Sequence, residues 1–189
     1  MVIPGLFHLI PNAVLCYFMY DYANSNPDVE NTGYYCYAHE GSWIGYTGGA
    51  IPGSVAVTSE FLTWFKFGFI LNVLYILIGL LMLLGTWKPL SFLGLCGIVL
   101  DCPVTCGWFM WFITGMVFRW RHAGLVCSGE YYDINDHTLT NTYLYQSGKF
   151  IQVYLIIVLS LFGALCLSGC IGGFVYKKYF GKDKAMRRN

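Results

Sequence analysis

The sequence predicts an all-α fold: an integral membrane four-helix bundle with a small disulfide-tied extracytoplasmic cap. Three observations carry that expectation. Four apolar runs, at about 3–20, 61–86, 90–118 and 150–176, are each close to or above the ~20 residues that cross ~30 Å of hydrocarbon as a helix. Hydrophobic residues make up 57% of the chain and charged residues only 11%, where a soluble domain carries about a quarter. The few charges are also sorted by position. Of 11 Lys and Arg, six lie in the tail at 177–189 (Lys177, Lys178, Lys182, Lys184, Arg187, Arg188). The segment 21–60 has none, and holds Asp21, Asp28, Glu30, Glu40 and Glu60.

The first run is interrupted by His8, Pro11 and Asn12. No basic n-region precedes it and no small-residue cleavage site follows, so a retained helix is expected rather than a signal peptide. The second and third runs are joined by a short turn holding Lys88. By the positive-inside bias, this turn and the basic tail are cytoplasmic, and 21–60 faces the other side. Four crossings then put both termini in the cytoplasm and make 119–149 the second outer loop. Arg119, Arg121 and Lys149 fall on the outer side and weaken the asymmetry without reversing it. The chain reads as one domain over 1–189, without linker or repeat. Its runs suit a plasma membrane or an endomembrane of the secretory pathway, the long later ones favouring a thicker bilayer.

Small residues recur in the fourth run. Ala164, Ser168 and Gly172 are spaced by four, and Gly169 and Gly173 form the adjacent row. Such rows let helix backbones approach where lipid offers no hydrophobic drive. They serve packing within the same bundle or self-association.

Six of the eight cysteines fall within the runs, and Cys36 and Cys127 remain, one in each outer loop. Two loops on one oxidising face, each with a single thiol, read as one disulfide, the alternative being two unpaired thiols in a reducing compartment. The loops are rich in Tyr and Trp, including Tyr34, Tyr35, Trp43, Tyr131 and Tyr132. These residues form interfacial belts or binding hot spots. The belt suits Trp120, at a helix end, better than the mid-loop Trp43.

At the outer end of the third run comes Phe118-Arg119-Trp120-Arg121-His122-Ala123-Gly124-Leu125-Val126-Cys127-Ser128-Gly129. This stretch resembles the second outer loop of small eukaryotic four-span proteins, in which a basic and aromatic start leads to a Gly-x-Val-Cys-Ser-Gly turn. Tyr35-Cys36 matches a Tyr-Cys element of their first loop. The resemblance covers a dozen residues and the layout, singles out Arg119, Arg121, Gly124, Ser128 and Gly129, and implies no activity. Claudin and MARVEL-type tetraspans are similar in architecture alone, since the first loop here has one cysteine rather than the claudin pair.

Ionisable residues inside hydrocarbon are costly and mark functional positions. Asp101 counts to about 18 Å from Pro89, and Asn72 to about 21 Å from Thr86, at ~1.5 Å per residue. The two are expected to hydrogen-bond, either as a structural lock or as an ion or proton site. His8 and Lys66 lie towards opposite faces, and Lys66 can snorkel outward. Pro103 removes a backbone bond and predicts a kink near Asp101. Cys102 with Cys106 and Cys166 with Cys170 each share a helix face, but the pairs count to depths roughly 16 Å apart. That separation rules out one four-thiolate ion and leaves them as packing residues, with no metal and no cofactor. There is no phosphate-binding glycine loop, no His-Glu-x-x-His and no paired carboxylates on a helix face, so no enzyme is expected. Nucleic-acid binding has no support. The tail can bind anionic headgroups, though its role as a topology anchor is sufficient.

The expected function is therefore a non-enzymatic tetraspan scaffold or accessory subunit. Its partners are membrane lipids and either copies of itself or other membrane proteins. The alternative is an ion or proton channel or transporter, or its accessory subunit, using Asp101.

Overall fold

The computed structural model describes residues 2–24, 36–39, 45–47, 52–87, 90–130 and 144–186. Helix α1 spans Val2–Asn24 and includes Pro11. Three short strands follow: β1 (Cys36–Ala38), β2 (Gly45–Thr47) and β3 (Val55–Ala56). Helices α2 (Val57–Leu84), α3 (Ser91–Trp120), the short α4 (His122–Cys127) and α5 (Tyr145–Met186) complete the described chain. The chain divides into two compact units, Met1–Ile151 and Gln152–Asn189.

Helix predominates because the apolar runs leave the backbone no partner but itself. Among the described residues, three helices are long and apolar enough to cross a membrane: α2, α3 and α5 over Tyr145–Gly169. In the first unit α2 is the helix on which α1 and α3 both pack. Its buried positions Phe61, Trp64, Phe65, Gly68, Leu71, Asn72, Tyr75, Ile78, Gly79 and Met82 recur every three or four residues. Its opposite face exposes Phe67, Ile70, Leu74, Leu77, Leu80 and Leu84. A helix on the surface of a water-soluble protein would carry polar groups there, whereas α2 is apolar on every side.

Several boundaries differ from the sequence expectation. The outer segment 21–60 is not all loop. It extends α1 to Asn24, starts α2 at Val57 and holds an antiparallel sheet in the order β2-β1-β3, so the cap is not all-α. Cys36 stands opposite Thr47, and Tyr37 lies between Tyr46 and Ala56. Strands this short depend on anchors at both ends. The Cys36 amide donates to Thr58 Oγ1 at 2.8 Å, tying β1 to the first turn of α2. The segment 119–149 likewise holds α4 and the first turn of α5. Helix α5 continues through most of the basic tail, to Met186. The hydropathy change at Lys177 marks where a membrane would end, not where a helix must end, since Lys is a good helix former. Helix α3 runs unbroken through Pro103. Lys88, Trp43, Tyr34, Tyr35, Tyr131, Tyr132, Arg187 and Arg188 lie outside the described residues.

A disulfide joins Cys36 of β1 to Cys127 at the end of α4, with Cα atoms 6.0 Å apart. Both cysteines are buried. The bridge links residues 91 apart, and the chain-entropy model assigns such a loop roughly 4–5 kcal/mol. The Cys36→Ser/Cys127→Ser variant, solubilised in mild detergent, is expected to melt about 10 °C lower than the oxidised protein. Reductant should lower the Tm of the parent chain alone. Equal Tm values for variant and oxidised parent would show that the cap does not depend on the bridge.

Candidate functional site

The best-defined constellation lies at the cap end of α2 and α3. Both helices carry Trp-x-x-x-Gly, Trp64 with Gly68 and Trp111 with Gly115, and they run antiparallel. Each indole therefore lies over the other helix's glycine. A Cβ at Gly68 would come within 2.6 Å of the Trp111 ring, and one at Gly115 within 2.8 Å of Trp64 Cε2. Only glycine leaves room for a ring at either seat. The indoles stack with centroids 4.3 Å apart and 14° between planes. Trp64 Nε1 donates to the Trp111 carbonyl at 3.0 Å, and Trp111 Nε1 donates to the Trp64 carbonyl at 2.8 Å. The two rings thus bury a large apolar area and leave neither N–H unsatisfied.

Around this pair, Phe65 stacks on Tyr22 of α1 at 5.0 Å, and Tyr22 meets Phe150 of α5 at 4.8 Å. The aromatic cluster joins three helices below the cap.

The loop residues singled out by the resemblance all have structural places. Arg119 is 1% exposed. Its Nε donates to the Gly148 carbonyl at 2.9 Å, and its terminal nitrogen pairs with Glu130. A buried guanidinium is tolerable only with such partners. Gly124 lies so close to the Phe118 carbonyl that any Cβ would collide with it. Gly129 takes φ +76°, a left-handed conformation that ends α4. Ser128 lies against Gly148 at the start of α5, and Leu144 N donates to the Cys127 carbonyl at 2.8 Å. Arg121 pairs with Glu60 of α2 and lies over the Phe118 ring at 5.6 Å.

Beside the Trp pair, α2 and α3 frame an apolar groove of about 300 Å³. Thr63, Trp64 and Phe67 form one wall, and Gly107, Met110, Trp111, Thr114 and Phe118 the other. Its two hydroxyls are turned back on their own helices: Thr63 Oγ1 donates to the Ser59 carbonyl and Thr114 Oγ1 to the Met110 carbonyl, both at 2.7 Å. The lining is left almost wholly hydrocarbon.

The mid-helix polar residues are arranged differently from the expectation. Asn72 does not reach Asp101. Its Nδ2 donates to the Gly68 carbonyl at 2.7 Å on its own helix. The register explains why. Close approaches of Gly94 to Gly85, of Gly97 to Met82, and of Thr105 to Tyr75 place Asp101 opposite Ile78, roughly six residues, or about 9 Å, further along α2 than Asn72. A buried asparagine can meet the carbonyl one turn back without leaving its helix. Tyr75, not Asn72, is the group that crosses the seam. Its hydroxyl donates to Thr105 at 3.1 Å and lies within electrostatic reach of Asp101. Lys66 is exposed. The His8 side chain lies outside the described residues, as do those of Gly172 and Gly173. Cys102, Cys106 and Cys166 are free thiols at exposed positions.

On α5, in the second unit, Ala164, Ser168 and Gly169 are exposed. A Cβ added at Gly163 or Gly169 meets no atom within 4 Å. Comparison with family models, with known proteins and with solved structures finds no match to this chain.

Trp64 and Trp111 are absent from the sequence expectations above, although the repeated Trp-x-x-x-Gly spacing on adjacent apolar runs is a signal for them. Replacing Gly115 with Val should displace Trp64 and cost about 2–4 kcal/mol, from overpacking and from unmade bonds of two buried N–H groups. The check is twofold: a lowered Tm, and loss of the far-ultraviolet exciton couplet of the stacked indoles. An intact signal in the variant would mean that the pair does not depend on its glycine seat.

Proposed function

We propose that the chain is an integral membrane protein of four spans, α1, α2, α3 and α5, with both termini cytoplasmic and the disulfide-tied cap outside. It acts as a non-enzymatic scaffold or accessory subunit in a membrane of the secretory pathway or the cell surface. The observation that carries this reading is the exposed small-residue face of α5. In lipid, association comes from close backbone packing, and Ala164, Ser168 and Gly169, in adjacent rows, present a surface on which another backbone can lie. The polar groups at the cap end support it from another side. Arg119, Trp64 and Trp111 are committed to internal bonds, which suits a rigid spacer better than a moving catalyst.

Native mass spectrometry of the gently solubilised protein should show a defined homo-oligomer or a complex with another membrane protein. The Ala164→Leu/Gly169→Leu variant should weaken that assembly by about tenfold, the equivalent of ~1.4 kcal/mol. A monomer in the parent chain, at every detergent concentration that keeps it soluble, would remove the scaffold reading.

A second reading rests on Asp101, which lies at the α2–α3 seam beside the Tyr75–Thr105 pair. Carboxylates at membrane depth serve ion and proton pathways. In reconstituted vesicles, Asp101→Asn should then abolish a conductance or its pH dependence while the Tm stays within a few degrees of the parent. Equal flux in parent and variant would eliminate this role.

A further inference from the structure

The apolar groove beside the Trp pair has a charged mouth. Glu60 stands one helical turn before Thr63 and two before Phe67, on the groove side of α2. Arg121 follows the last turn of α3 and covers the ring of Phe118, the groove's outermost lining residue. Glu60 and Arg121 pair with one another across the two helices, with side chains 23% and 22% exposed. A cation and an anion thus stand side by side at the top of a hydrocarbon slot, their paired atoms buried and the rest of each side chain partly open to solvent. From Phe118 down to Gly107 the slot runs about 16 Å at the helical rise, close to half of a ~30 Å hydrocarbon core. Its volume, about 300 Å³, is at the lower end for ligand sites. The turned-back hydroxyls of Thr63 and Thr114 leave nothing inside for a polar ligand to bond.

We propose that this groove holds one acyl chain of a zwitterionic phospholipid from the cap-side leaflet, with the phosphate on Arg121 and the headgroup ammonium on Glu60. The assignment rests on the membrane-spanning reading above. Length selects a chain of one leaflet, since a helix of a partner protein would need width as well as length. The neutral pair of opposite charges selects a headgroup that itself carries both signs. A purely anionic headgroup would meet Glu60 unfavourably. Seating a chain also covers the exposed side of the Trp111–Met110 turn, and the protein would carry this lipid as a fixed part of its surface.

The test uses the full chain in nanodiscs of equimolar phosphatidylcholine and phosphatidylglycerol, released into mild detergent for native mass spectrometry. The expected result is one phospholipid retained per chain, with phosphatidylcholine favoured by about fivefold or more. Gly107→Leu fills the slot without disturbing the backbone, because a Cβ there meets only Leu71 Cδ2 at an ordinary 3.5 Å. It should cut retention by about tenfold. Arg121→Gln and Glu60→Gln should keep the chain bound and lose the headgroup preference. Leu95→Phe, at an exposed position of α3 away from the groove, should change nothing. The Cys36–Cys127 bridge and the indole exciton signal report folding in every variant, and Gly107→Leu carries the test alone if a charge variant misfolds.

Several results overturn the assignment: no adduct, equal retention of the two lipids, retention unchanged in Gly107→Leu, or a dimer that Gly107→Leu dissociates. Each leaves the protein membrane-embedded. Recovery of the chain in the aqueous phase after alkaline extraction would instead overturn the membrane-spanning reading itself, and this assignment with it.

Discussion

The exchange between Trp64 and Trp111 sets the register of α2 on α3, and most of what lies above and below follows from it. Each indole needs the opposite glycine as a seat and the opposite main-chain carbonyl as an acceptor. Sliding one helix by a single residue turns both rings off their seats and strands two N–H groups in an apolar site. That cost exceeds what a neighbouring register could recover from non-directional apolar contact. Below the pair, the same alignment brings Gly97 against Met82 and Gly94 against Gly85. Above it, the alignment delivers Arg119 to the start of α5 and Arg121 to Glu60.

The cap is built from what that register places within reach. Arg119 is nearly inaccessible, yet it is held by a carbonyl and a carboxylate, so a charge becomes a fastener instead of a liability. The disulfide then fixes β1 to α4, and Thr58 fixes β1 to α2. Three strands of two or three residues have little stability of their own. Here they need little, because their ends are pinned to helices. Gly124 completes the arrangement by letting α4 turn back against the end of α3.

Much of this was legible in the chain for physical reasons. Length and all-round hydrophobicity identify α2, α3 and α5, because nothing but a helix satisfies the backbone of such runs. The single cysteine in each outer segment pointed to the Cys36–Cys127 bridge, since thiols within apolar runs are poor candidates for it. The Gly-x-Val-Cys-Ser-Gly turn was visible as a motif, and the structure gives Gly124, Ser128 and Gly129 distinct mechanical roles. What was hidden depends on register. Counting from helix ends carries an error of several residues. An error of about six is enough to pair Asp101 with Asn72 on paper and with the Tyr75–Thr105 neighbourhood in space. The strands were hidden because their pattern is too short to read. Tyr37 and Tyr46 look like any loop aromatics until their pairing is known.

The contrast between the two helix faces bears on function more than any single side chain does. At the cap end, both indole N–H groups of the Trp pair and the Nε and one terminal nitrogen of Arg119 are bonded inside the first unit, and the surface left between α2 and α3 is a hydrocarbon slot under an ion pair. On α5 the exposed side chains are small at Ala164, Ser168 and Gly169. A slot accommodates a flexible chain, which fills it at a low cost in ordering. A flat glycine face accommodates a rigid backbone, which gains from close approach only when both partners are preformed. The two surfaces therefore differ in the neighbour proposed for each, a lipid chain for the first and a helix for the second.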